Sequence, residues 1–388
     1  MVELIKTEFK KLYRNKVLWG FLFLLAIADI YKISHSNQRE AVQIDGYEKV
    51  YAKVRGKITE EKIRFIIDYY RELEEKISTG NYSTEYNKNR YTGYDFGDYH
   101  IVEFFYKELQ YAFEYSQEME QLCKRWERKI ELCQKYNMSY RGSAYKKILL
   151  NYRKRSISSY YNMSSAEKFL SYDFSTILII AAIFFAVPSV IFYERKSGMW
   201  LFLKTMPDFT IKLMGAKLIS VTLFVFLLTV FFGMLDFICF HKFYTIDGLW
   251  QPLYSIESYK YTIFGGTVIQ FIFLHQTLKY SSFLFFAYTC LLISFFIRDQ
   301  VITVLLSFTG FVGLIFLCLY SNILINPILF FENQEWMKSY HEIKIFTYPV
   351  CQDTMLSLFI VFVDLFLVML IIISVIKWNR PKKDLLHN

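Results

Sequence analysis

Long apolar runs separated by charged segments limit this chain more than any other feature of its sequence. Residues 17–33, 174–192, 218–240, 280–297, 300–320 and 355–376 each approach or exceed the roughly 18 apolar residues of a membrane-crossing helix. The expected fold is therefore an all-α polytopic membrane protein with about six transmembrane helices. The chain has 388 residues, of which 54% are hydrophobic and 20% aromatic. That length would otherwise suggest two or three soluble domains. Here it divides into residues 1–33 (an amphipathic start and the first span), a polar insert at 34–172, and the remaining spans at 173–388.

Charge sets the expected orientation. The connector between the second and third spans, residues 193–217, carries Arg195, Lys196, Lys204, Lys212 and Lys217 against Glu194 and Asp208. Short basic segments beside spans stay in the cytoplasm. Residues 2–16 place Ile5, Phe9, Leu12 and Tyr13 on one helical face and Lys6, Lys10, Lys11 and Arg14 on the other. That pattern predicts an interfacial helix on the cytoplasmic leaflet, its basic face toward anionic lipid. The tail residues Lys377, Arg380, Lys382 and Lys383 are basic as well. Parity then puts both termini in the cytoplasm and the insert outside a multi-pass plasma-membrane protein. The net charge of +9 is explained by this topology, so no nucleic-acid partner is implied. No small-x-small cleavage site follows the first run, so it is read as an uncleaved helix and not a signal peptide. Residues 261–274 are short for a span and contain Gly265-Gly266, which predicts a re-entrant or interfacial element.

Within the insert, apolar residues recur at helical spacing over 46–78 and again over 99–137, predicting a helical hairpin or small bundle. The 31 tyrosines of the chain are dense here, and offer either a peptide-binding surface or simply packing for that bundle. The six cysteines form no disulfide framework. Cys123 and Cys133 fall on one predicted helix about 15 Å apart by helical rise, too far to bond.

The connector has a pattern of its own. Gly198 and Pro207 bracket an apolar stretch that contains Trp200, Leu201 and Leu203, long enough for about two helical turns lying on the membrane surface. The order E-R-x-x-G (Glu194, Arg195, Gly198), an apolar patch (Leu201, Leu203), T-x-P (Thr205, Pro207), then Lys212 and G-x-K-L (Gly215, Lys217, Leu218) resembles the first cytoplasmic loop of ABC-2 type export permeases. The family commonly has Thr after the glycine, where this chain has Met199 and Trp200. That departure bears on which ATPase would fit. The resemblance extends to the amphipathic start and to the span layout, covering nearly the whole length except the insert. It implies that the loop carries a coupling helix docking on a separate ATPase subunit, which binds the ATP and Mg. It also implies pairing with a second copy or with a sister permease. The residues it marks for coupling are Glu194, Arg195, Gly198, Trp200, Leu201, Leu203, Thr205 and Pro207.

The chain contains no G-x-x-x-x-G-K-[ST], H-E-x-x-H, C-x-x-C or G-x-S-x-G pattern. No cofactor or catalytic constellation is therefore expected in it, and it is read as a transport subunit and not an enzyme. The acids within spans are Asp29, Asp236 and Asp364. Such residues usually face a cavity or a partner, which makes all three candidates for a translocation path. Asp364 is the deepest, while Asp29 and Asp236 lie toward the outer ends, within reach of headgroups. His275 is a further candidate. Taken with the aromatic insert, the resemblance implies export of a peptide such as a bacteriocin or lantibiotic. Drug or sodium efflux within the same family, a membrane sensor using the insert as receptor, and a polytopic membrane enzyme are the alternatives.

Overall fold

The computed structural model describes residues 1–38, 44–199, 207–320, 328, 331, 333–345 and 348–379. The chain opens with α1 (Val2–Tyr13) and α2 (Lys16–Gln38), followed by the insert helices α3 (Ile44–Val54), α4 (Glu60–Ser78), α5 (Asp95–Lys135), α6 (Ser139–Arg153) and α7 (Ser164–Leu170). Then come α8 (Phe174–Lys196), α9 (Pro207–Tyr244), α10 (Val268–Phe296), α11 (Gln300–Tyr320), the short α12 (Asn333–Trp336) and α13 (Gln352–Asn379). Two small antiparallel pairs complete it: β1 (Gly56–Lys57) with β2 (Ser159–Tyr160), and β3 (Glu342–Ile345) with β4 (Tyr348–Cys351). Among the described residues, six helices are long and apolar enough to cross a membrane, and they fall on α2, α8, α9, α10, α11 and α13.

These helices share one apolar core built from Leu18, Ile183, Val187, Val225, Phe283, Phe286 and Ile371. α8 is buried on nearly every side, whereas α2, α11 and α13 turn many large apolar residues outward. An outward apolar face is what lipid contact requires, since acyl chains are as apolar as leucine.

The connections sort to two ends. At one end, the insert grips the α9–α10 connection: Tyr111 Oη donates to Tyr254 O at 2.7 Å, Tyr152 Oη to Tyr261 O at 2.7 Å, and Asn151 Nδ2 to Ile263 O at 2.6 Å. Arg141 of the insert pairs with Glu342 of the α11–α13 connection at 2.6 Å. At the other end, α1 and both stems of the connector meet, together with the α10–α11 turn. Connections one, three and five are thus separated from two and four.

The structure changes several of the sequence expectations. The helix predicted over 46–78 is two helices, broken where Gly56 adopts φ +92° and pairs with Tyr160. A side chain there would be strained, and glycine is not. The helix predicted over 99–137 runs Asp95–Lys135 and buries Phe105, Leu109, Ala112, Tyr115, Met119, Trp126 and Cys133 along one face. Residues 261–274 form no separate re-entrant element. Residues 261–267 lie in the α9–α10 connection. A capping box between Thr267 and Gln270 then starts α10, which continues unbroken to Phe296. Many insert tyrosines are structural: Tyr115 and Tyr152 are buried, and Tyr111 and Tyr152 spend their hydroxyls on backbone carbonyls. Tyr82, Tyr86, Tyr94, Tyr136 and Tyr140 remain exposed. Cys123, Cys133, Cys239 and Cys290 are free, buried thiols.

Where the insert meets the α9–α10 connection, Glu108 of α5 is partly buried. Burial, reinforced by the negative charges of Glu257 and Glu167, pushes its carboxyl up to about 7 from an ordinary 4.5. Between those values the folded chain keeps a proton that the unfolded chain has released, so stability falls as pH rises through the window. The insert is therefore expected to melt at a higher temperature at pH 5 than at pH 8. Glu108→Gln should flatten that difference, as read by hydrogen exchange along α5 at the two pH values. An unchanged pH dependence in the variant would assign it to other groups.

Candidate functional site

The connector leaves the bundle from the end of α8. Glu194, Arg195 and Lys196 form its last turn, and Ser197 closes the helix. Gly198 follows at φ +73° with open space where a Cβ would stand. A left-handed residue after a helix end is the usual glycine role, and here only the backbone asks for it. Gly198→Ala should cost about 1–2 kcal/mol in thermal melting, with no effect on packing. A variant as stable as the parent would show that the turn relaxes freely.

Glu194 and Arg195 are adjacent in sequence but point to different partners. Glu194 is 2% exposed and faces inward. Its Oε1 accepts from Lys217 Nζ at 2.7 Å and from Lys11 Nζ at 2.8 Å. Lys217 is fully buried. It also donates to Glu8 Oε2 at 2.8 Å and to Val190 O at 3.1 Å, which uses all three protons of the ammonium. Lys11 closes the ring by bonding Glu8 Oε1. Burial works against the Lys11 ammonium, but the hydrogen bonds it donates to Glu194 and Glu8 outweigh it and hold its pKa above the ordinary lysine value. Two acids and two lysines from α1, α8 and α9 thus form a neutral cluster inside an apolar bundle. Because the cluster is neutral and nearly every group is bonded, its desolvation is offset. Removing one member would leave a buried charge without its counterpart.

Arg195 reaches sideways. Its guanidinium donates to Phe295 O at 2.6 Å and to Ile297 O. These are terminal carbonyls of α10, which have no partner within their own helix, and a cation there also complements the helix dipole. The start of the connector is thereby fastened to the α10–α11 turn, while its end is fastened through Lys217 to α1. Pro207 stands at the first residue of α9, where its missing N–H costs nothing and its fixed φ suits the helix. Trp200, Leu201, Leu203 and Thr205 lie outside the described residues.

The amino-terminal helix differs from the expectation in one important respect. Its inward face is centred on Glu8, 1% exposed, with Leu12 beside it. Tyr13, expected on the apolar face, is exposed, and Lys11, expected on the lipid face, turns inward to the cluster. The geometric reason is that Leu4, Glu8 and Leu12 share one helical row at a spacing of four. The acid therefore had to enter the bundle with the leucines.

Asp29 and Asp236 turn into the protein and not outward. Both are buried, at 0% and 4% exposure, and their carboxyls face each other across α2 and α9. The Tyr172 hydroxyl donates to Asp29 Oδ1 at 2.6 Å, and Ser175 lies against Asp236. The rotation of each helix, set by packing, directs these short side chains inward. Asp364 is also buried but lies apart on α13, within electrostatic range of Tyr280 and Tyr288. The structure thus joins two of the three path candidates and leaves the third separate. His275 is buried beside Phe271. A buried lysine that sequence reasoning passed over, Lys279, bonds Asp173 Oδ1 at 3.0 Å at the start of α8. Its signal was a lone cation at the edge of an apolar run.

What the arrangement can do is mechanical: a displacement of the connector is transmitted through Glu194, Lys217 and Arg195 to α1, α9 and α10 together. Comparison of the chain with protein-family models, with curated proteins and with solved structures gave no match.

Proposed function

We propose that this chain is the transmembrane subunit of an ATP-driven exporter of the ABC-2 type. In this reading it works in pairs, and a separate ATPase binds ATP and Mg and docks on residues 199–206. The single observation that carries the proposal is the buried cluster of Glu8, Lys11, Glu194 and Lys217, together with the Arg195 clamp. A loop that only linked two spans would not need its stems locked to three other elements. A loop that receives force does, because a rigid attachment is what turns a push on its tip into movement of helices. The polarity follows from the basic connector: α1 and the connector face the cytoplasm, and the insert faces outward. For substrate, a peptide is favoured by the exposed tyrosines of the insert, which give large contact area at low entropic cost.

The test is a gentle pull-down from native membranes, with mass spectrometry of the bound proteins. A stoichiometric P-loop ATPase is expected, and should be lost when residues 199–206 are replaced by a Gly-Ser stretch. Glu194→Ala should retain the ATPase but uncouple its hydrolysis from export. A bound kinase, or no ATPase on intact folded protein, would replace this reading with that of a membrane sensor.

A further inference from the structure

At the end of the bundle nearest the insert, α2 and α9 each bury one carboxyl group. Asp29 and Asp236 are almost wholly enclosed, and their carboxyls lie within hydrogen-bond reach of each other. Tyr172 Oη donates to Asp29 Oδ1 at 2.6 Å, and the Ser175 hydroxyl is within reach of Asp236. One oxygen on each acid is nevertheless left over. Asp29 Oδ2 and Asp236 Oδ1 are both buried and have no hydrogen-bond partner among the described residues.

Two ionised carboxylates have no donor to offer each other, and both would place a charge inside an apolar bundle. The cation within electrostatic range, Lys279 of α10, is already bonded to Asp173 Oδ1 at 3.0 Å and to Tyr172 O at 3.4 Å. Cys239 of α9 also faces the pair, and a thiol cannot balance an anion. Two acids that share one site resolve their repulsion by holding a single proton. A metal ion fits less well, because hard divalent cations take about six or more oxygen ligands. Among the described residues, no third acidic, histidine or cysteine side chain joins the pair in a metal-holding group.

We propose that Asp29 and Asp236 bind one proton between them, joining α2 to α9 as a carboxylic acid–carboxylate pair. Tyr172 already donates to Asp29, so Asp29 is the carboxylate, and the proton resides on Asp236 and is donated to Asp29. Ser175 donates to Asp236 in turn. This arrangement gives both leftover oxygens a partner and halves the buried charge. The inference does not depend on the export reading.

The experiment records infrared spectra of the full-length protein in detergent at neutral pH, in light and heavy water, with choline chloride as the only salt. A protonated carboxyl shows a carbonyl stretch that moves to lower frequency in heavy water. Subtracting the spectrum of Asp236→Asn from that of the parent should leave such a band, with the intensity of one acid group. Asp29→Asn should give the same result, since in either variant the amide supplies the missing donor and the proton is no longer needed. If one variant does not fold, the other decides. Other buried acids, Glu108 and Asp364 among them, are common to both spectra and cancel. The proposal is overturned by a folded variant whose subtraction leaves no band. It is equally overturned if replacing choline by sodium removes the band from the parent, which would assign the site to a metal ion.

Discussion

Lys217→Met is expected to destabilise the folded protein by about 3–5 kcal/mol, the usual cost of removing one partner from a buried ion pair. Lys217 is the only member of its cluster that bonds both acids and a backbone carbonyl at once. Without it, Glu8 and Glu194 face each other with Lys11 alone to balance them, in surroundings that cannot hydrate the excess charge. Methionine fills most of the volume, so the loss reports electrostatics and not a cavity. The double variant Glu194→Gln, Lys217→Met leaves Glu8 paired with Lys11, restores neutrality and should recover part of the loss. Denaturant unfolding in mild detergent, followed through the tryptophans, would measure both. A loss below about 1 kcal/mol, the range of exposed pairs, would mean that water reaches the cluster and that the connector stems are not rigidly held.

Arg195→Ala should cost about 2–3 kcal/mol, because a charged donor contributes about 1.5–3 kcal/mol per hydrogen bond and the freed α10 carbonyls recover part of this by bonding water. The effect should be local. Amide exchange should quicken in the α10–α11 turn around 295–299, while the insert is unchanged. Arg195→Lys should restore only part of the protection, since an ammonium cannot reach both Phe295 O and Ile297 O with a planar fork. Under the export reading, this variant would also bind its ATPase normally but respond weakly to it. Unchanged exchange at the turn would show that the clamp is not what holds α10.

These two residues show how much of the site could be read from the sequence. Glu194, Arg195 and Lys217 were each marked by their place in the connector pattern, but the pattern does not say that one acid turns inward while the neighbouring cation turns sideways. Adjacent residues on a helix point about 100° apart, so once α8 was rotated to bury Glu194, Arg195 had to meet α10. Glu8 was legible in principle: an acid between Leu4 and Leu12 on an apolar row is a signal, and the basic residues around it obscured that signal. Asp29 and Asp236 show the same limit. Depth along a span is set by counting residues, whereas the direction in which an acid faces depends on which helices pack beside it.

Hydropathy and length alone determined the six long apolar helices, the amphipathic first helix and the position of the polar insert. Those properties are local sums along the chain and do not depend on distant residues. Tertiary structure alone decided the meeting of Glu8 with Lys217, the facing of Asp29 and Asp236, and the docking of the insert on the α9–α10 connection. Each of those is a pairing between segments more than 100 residues apart, from 109 for Tyr152 with Tyr261 to 209 for Glu8 with Lys217. What fixes such a pairing is the rotation and contact of whole helices, and no local pattern in the sequence encodes it.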